Sequence, residues 1–206
     1  MSNTFFTADT HFLHKNVIRY CERPFSSVEE MDETLISNWN AKVKPGDSVY
    51  HVGDFGFGNC NSISERLNGK IYLVPGGHDK GHYKNITYVE PLKTIKIDNQ
   101  IVVLCHYCLR TWDRSHYNSW ALFGHSHGKL PPIGKSWDVG VDGNDYSPLS
   151  WDEIVEIMKT RPDNPNLIKR EIVKPEQNPY EDNKGIVVSS EITDWQKWEI
   201  NRDENE

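Results

Sequence analysis

Residues 3–11 read NTFFTADTH, a run of aromatic and β-favouring side chains that gives way to Asp9 and His11. Such a run is the pattern of a short buried strand, and the carboxylate and imidazole that close it stand where a strand opens into a loop. The arrangement returns four times. SVYHVGD (48–54) ends in Gly53 and Asp54, IYLVPGGHD (71–79) in His78 and Asp79, IVVLCHY (101–107) in His106, and ALFGHSHG (121–128) in His125 and His127.

The segments between these runs decide how the strands connect. In SSVEEMDETLISNWNAKV (26–43), Met31, Leu35, Trp39 and Val43 recur every four residues behind Ser27 and Glu30. That spacing predicts an amphipathic helix opened by a capping box. SISERLNGK (62–70) predicts a short helix closed by Gly69. Strand, helix, strand, helix, strand is the alternation of βαβ units around a largely parallel sheet. The pattern then changes. TIKIDNQIVVLCHY (94–107) reads as two strands around DNQ, a hairpin. ALFGHSHG and SWDVGVDG (136–143) are two further short strands, and SPLSWDEIVEIMKTR (147–161) is a helix behind Ser150 and Glu153.

At 206 residues the chain fits one catalytic-sized domain with a tail. Residues 1–160 are read as the domain. Residues 161–206 hold 7 Lys and Arg against 11 Asp and Glu, with four prolines before residue 180. They are read as an acidic, Pro-rich C-terminal extension packed on the domain, with one strand at GIVVSSEI (185–192).

Over the whole chain 23 basic residues face 30 acidic ones, a net charge of −7, which argues against an extended basic footprint for nucleic acid. It leaves room for a metal-bearing cleft that accepts small phosphates, because divalent cations reverse the local field. No run approaches the roughly 18 apolar residues of a membrane span, and the N-terminus lacks the pattern of a signal peptide. A cytoplasmic protein without a membrane partner is expected. Cys21, Cys60, Cys105 and Cys108 fit a reducing compartment, and the lone C-x-x-C of CHYC (105–108) is read as thiols in or beside a strand.

In an α/β sheet the loops at the carboxyl ends of the strands converge on one crevice. Asp9, His11, Asp54, His106, His125 and His127 are thereby expected to share a site. Carboxylates mixed with imidazoles suit Mn, Fe, Zn or Ni, and six donors are enough for two ions about 3.5–4 Å apart.

The ordered set D-x-H, G-D, G-x-H-D, H and G-H-x-H, running from Asp9 to His127, resembles the calcineurin-like metallophosphoesterases. The wording ADTHFLHKNVIRYCERPF (8–25) and VGVDGNDYSPLSWDEI (139–154) is similar to the small single-domain members of bacteria and phages. The resemblance implies a four-layer α/β/β/α sandwich of two mixed sheets flanked by helices, with the metals at one end. It implies that Asp9, His11 and His127 bind a first metal, that Asp54 bridges, and that His106 and His125 bind a second, with manganese favoured. His78 would touch the substrate phosphate and serve as acid for the leaving group, oriented by Asp79. The implied reaction is hydrolysis of a phosphomonoester or phosphodiester by in-line attack of a hydroxide bridging both metals, its pKa lowered from about 15.7 towards ~7.

Two positions depart from the family pattern. Gly77 stands where the family has an Asn whose amide binds the second metal, which implies a weaker second site completed by water, a carbonyl or substrate. This keeps open a second reading, a metal-binding scaffold or regulator with weakened catalysis. A third is a nuclease or cyclic-nucleotide phosphodiesterase of the same superfamily, with a nucleotide or nucleic-acid end as substrate. Phe57 stands where many relatives carry an acid, so support for a ligand must come from elsewhere. His14, Asn16 and Arg110 are candidate substrate contacts at the rim. His51, His82 and His116 are read as structural.

Overall fold

The computed structural model describes residues 2–168. The expected strand at 185–192 lies outside the described residues.

The described chain is a mixed α/β fold with two mixed sheets. In the first, β1 (Thr4–Thr7), β2 (Ser48–His51), β3 (Lys70–Leu73) and β4 (Ile86–Tyr88) run parallel in the order β4-β3-β2-β1, and β9 (Leu149–Ser150) adds antiparallel to β1. In the second, β5 (Leu92–Ile97) pairs antiparallel with β6 (Gln100–Cys105), which continues in parallel to β7 (Trp120–Phe123) and β8 (Ser136–Asp138). The expected hairpin is present, with Asp98 and Asn99 alone as its loop and Gln100 paired to Ile97. Both loop residues have positive φ (49° and 66°), the conformation that lets a two-residue turn follow the strand twist.

Period-two alternation along β1 divides the core. Phe5 faces one side, where Met31, Leu35 and Trp39 of α2 (Val28–Lys42) pack with Val49 and Ile71. Phe6 faces the other, where Ala8 and Val52 meet Val102, Leu104 and Leu122 of the second sheet. Burying each such side chain contributes about 1.5–3 kcal/mol, so the four-residue spacing of α2 is what fastens it to the sheet. Its N-terminus departs from expectation in one detail. The Ser27 hydroxyl accepts the Glu30 N–H as a cap should, but the Glu30 carboxylate turns to the Ser26 N–H at 2.8 Å. The reciprocal capping box forms instead at Ser150 and Glu153, opening α4 (Trp151–Thr160), which buries Ile154 and Met158 in the core between the sheets.

Two further helices are short: α1 (Lys15–Tyr20) and α3 (Asn61–Ser64), a single turn where a longer helix to Gly69 was expected. On the outer face of the second sheet, Val103 and Ala121 are covered by Leu109 and Trp112 from the 106–119 connection. Residues beyond α4 begin by packing against this connection. Buried Asn164 donates to the carbonyls of Ser115 and Ser119, both at 2.9 Å, and accepts the Lys135 N–H at 2.7 Å. Among the described residues no helix is long and apolar enough to cross a membrane.

Candidate metal centre

The loops leaving β1 and β2 are zipped together by backbone hydrogen bonds, Asp9 N–H to Gly53 O, His11 N–H to Asp54 O and Phe12 N–H to Phe55 O, at 2.9–3.0 Å. This brings two distant sequence motifs into one frame. Gly53 has φ +91°, and a β-carbon there would lie 2.5 Å from His106 Nδ1, so the turn and the close approach both require glycine. Five of the six expected donors also adopt the left-handed region: Asp9, His11, Asp54, His125 and His127, with φ from 48° to 68°. That conformation costs roughly 1–2 kcal/mol at a residue with a β-carbon, and its concentration at one place marks a site held by its surroundings.

The six donors fall into two groups. Ligand atoms of Asp9, His11 and His127 lie within 4.8 Å of one another, and so do those of Asp54, His106 and His125. Asp54 Oδ2 stands between the groups, 3.3 Å from His106 Nε2 and 3.7 Å from His11 Nε2. The residues fit cations: Asp9 Oδ1, His11 Nε2 and His106 Nε2 are buried without hydrogen-bond partners, a costly state that a bound ion relieves. Tautomers are set to suit. The Val52 carbonyl accepts the His106 Nδ1–H at 2.9 Å and the Asp142 carboxylate accepts the His127 Nδ1–H at 2.7 Å, so each Nε2 carries the free lone pair.

Burial dominates the ionisation of the first group. It lifts the Asp9 carboxyl to about 7, against the pull of His127 and His106, and lowers His11 to about 3. Asp54 is also pushed up by burial, but His106 and the His78 N–H outweigh this and hold it well below the usual carboxylate range. In return Asp54 raises His106, and Asp142 raises His127, both against burial.

Two supports for these donors were not anticipated from sequence. Buried Arg23 donates to both oxygens of Asp142, at 2.8 Å each, and to the carbonyls of Asp9 and Thr10. It thus ties the His127 partner to the backbone of the first motif. Cys21 also lies near His127 and Asp142 as a conceivable third group, but Asp142 is already committed to Arg23 and His127. Asp142 ends the apolar run WDVGVD, the same signal that marked the other clusters; Arg23 gave no signal. The second support is a correction. Asp79, expected to orient His78, accepts the backbone N–H groups of Asp54, Phe55 and Gly76 at 2.7, 2.9 and 2.7 Å. Those amides converge on its carboxylate, so it braces the loop under Asp54 and leaves the His78 ring free.

The chain is 34% identical over 171 residues to the uncharacterized protein MJ1445 of Methanocaldococcus jannaschii, covering 77% of this chain and 93% of that protein. The chain belongs to that protein's family. A shorter match, 36% identical over 92 residues, covers 41% of this chain and 44% of the Gene 66 protein of Mycobacterium phage L5. Among solved structures, a protein of unknown function, AQ665 from Aquifex aeolicus, shares the fold at TM-score 0.60 and 24% identity, over 76% of this chain and 100% of that one. The phosphoesterase Yfce from E. coli is a remoter likeness, at TM-score 0.37 and 19% identity over 67% of this chain and 78% of that one, too distant to bear on function. No family model matches the chain.

In this member of the family the remaining candidates divide. His78 is at the site, its side chain 47% exposed and its Nε2 4.0 Å from Asp54 Oδ2. His14 is beside it, with ring centroids 5.4 Å from His11 and 6.0 Å from His78, and stacked on exposed Phe57 at 5.1 Å. Asn16 lies exposed on the first turn of α1. Arg110 is not brought to the donors. Leu109 anchors its segment on the outer face of the second sheet, and Arg110 lines a cleft with Thr111, Ile133, Pro165 and Asn166. His51 is a buried strand residue whose Nε2–H is paired with Thr10 Oγ1 at 2.9 Å, while Phe55 O accepts the Thr10 hydroxyl.

Proposed function

We propose that the chain is a calcineurin-like metallophosphoesterase that holds two divalent cations, manganese favoured, and hydrolyses a phosphomonoester or phosphodiester. The observation that carries this reading is the position of Asp54 Oδ2 between two three-residue donor groups, 3.3 Å from one imidazole nitrogen and 3.7 Å from another. Asp9, His11 and His127 would hold one cation, His106 and His125 the other, with Asp54 shared. Bound there, the cations would polarise a phosphate oxygen and acidify the attacking water. His78 is close to Asp54 yet open to solvent, as a group must be that gives a proton to a leaving oxygen and then regains it.

Phe57, 56% exposed and stacked on His14, offers a flat surface beside His78. This favours an ester with an aromatic part, such as a nucleotide or a nucleic-acid end, since base stacking on an aromatic contributes about 1–3 kcal/mol. In this reading residues 1–160 carry the activity as a four-layer sandwich, residues 161–206 are its extension, and the unpaired cysteines belong to a cytoplasmic protein.

The test combines Mn²⁺ titration with turnover of an aryl phosphate and an aryl phosphodiester. Asp54→Ala is expected to lose both cation equivalents and all turnover. His78→Ala is expected to keep both equivalents while turnover falls by roughly 10²–10⁴. Wild-type turnover in Asp54→Ala would refute the reading, and a wild-type protein inert with Mn, Fe, Zn and Ni would favour the scaffold.

A further inference from the structure

Asp54, His106 and His125 are three donors, one fewer than the four of a tetrahedral shell and three fewer than an octahedral one. The residue next to His106 is Tyr107. Its ring packs edge-on against both imidazoles of this group, 5.0 Å from the His106 centroid and 4.8 Å from that of His125. Its hydroxyl reaches the 76–78 loop, where a β-carbon on Gly77 would lie 3.3 Å from the Tyr107 oxygen. That loop wraps the third donor. The His78 N–H donates to Asp54 Oδ1 at 3.0 Å, and a β-carbon on Gly76 would strike the same oxygen. The Tyr107 ring thus packs on two members of the group and its hydroxyl lies beside the loop that binds the third, on a residue that is 50% exposed.

We propose that the Tyr107 hydroxyl is a fourth protein donor to the second cation, and that residue 77 is glycine because this hydroxyl uses the space a side chain there would fill. Phenol oxygen is a hard donor of the same kind as carboxylate, and it binds a divalent cation best after losing its proton to solvent. Gly77 does not occupy the left-handed region, so its lack of a side chain is not a demand of the backbone. Room for Tyr107 gives it a reason.

The inference rests on the two-cation reading, and one experiment separates the two. Wild type, Tyr107→Phe and the double variant Tyr107→Phe/Gly77→Asn are titrated calorimetrically with Mn²⁺, with the ultraviolet difference spectrum of tyrosine followed in parallel. Matching thermal melts establish that all three are folded. Wild type is expected to bind two equivalents and to develop a tyrosinate difference band with the second. Tyr107→Phe is expected to lose that band and to bind the second equivalent about 10–100-fold more weakly, with the first unchanged. The double variant is expected to recover second-site affinity without the band, because an amide oxygen at residue 77 enters the vacated space. Unchanged second-site affinity in Tyr107→Phe, or a band that survives the substitution, overturns the role of Tyr107. A wild type that binds fewer than two equivalents overturns the two-cation reading itself.

Discussion

Gly76 and Gly77 are neighbours whose replacement by alanine should have opposite outcomes. A β-carbon on Gly76 would lie 2.7 Å from Asp54 N and 3.0 Å from Asp54 Cγ, and nearer still to Oδ1. Asp54 cannot withdraw, because its N–H is held by Asp79 Oδ2 at 2.7 Å and its Oδ1 accepts the His78 N–H at 3.0 Å. Forcing a methyl group into such a place costs about 1–3 kcal/mol, while restricting the unfolded chain returns about 0.4–1 kcal/mol. The net loss is roughly 0–2.6 kcal/mol, and at about 2–4 °C per kcal/mol for a domain of this size Tm should fall by up to about 10 °C. A β-carbon on Gly77 meets only the tip of exposed Tyr107, so Gly77→Ala should be neutral or more stable by up to about 1 kcal/mol. Scanning calorimetry of both variants without metal reads the difference directly, and Mn²⁺ titration reads whether Asp54 has been displaced. Equal Tm and equal cation affinity in the two variants would refute the claim that the loop is packed hard against Asp54.

The other predictions concern the supports of the site. Asp79→Asn presents an amide group to converging backbone N–H donors and should lower stability by about 1–3 kcal/mol in urea unfolding, whereas His78→Ala should lower it by much less; equal losses would contradict the bracing role. Asp142→Asn should weaken binding of one cation equivalent by about 10–100-fold while the other holds, because His127 loses the partner that fixes its tautomer. Cation binding should also depend on pH. Without metal, burial keeps the Asp9 carboxyl protonated up to about 7, and His106 and His127 are raised by their carboxylate partners, so all three hold protons that a cation must displace. Affinity is therefore expected to rise with pH through about 7. Titrations at pH 6, 7 and 8 that give one affinity would rule this out.

How the site was legible differs from residue to residue. Asp9, Asp54 and the His125–His127 pair each end an apolar run, and strand propensity together with the convergence of parallel strand ends was enough to bring them together. Asp142 carried the same signal at the end of WDVGVD but lacked a motif to attach it to. Arg23 and Tyr107 carried none, because a charged residue in a loop and a tyrosine after a histidine are ordinary on any surface. Arg110 follows the His106 strand and was a candidate substrate contact without a spacing to compel it, and Leu109 packs that segment on the outer face of the second sheet. The capping boxes show the same limit, since Ser27 with Glu30 and Ser150 with Glu153 are alike in spacing and only the second closes reciprocally.

The sequence by itself determined most of the order of strands and helices, the hairpin around residues 98–100, and which carboxylates and imidazoles stand at strand ends. These rest on local propensity and on residue chemistry, which each short segment carries with it. Only the tertiary structure decided that Asp79 braces a backbone turn, that Arg23 locks Asp142 to His127, and that the Tyr107 hydroxyl faces the gap beside Gly77. Each of those depends on segments 24 to 119 residues apart coming together, and local pattern contains no such contact.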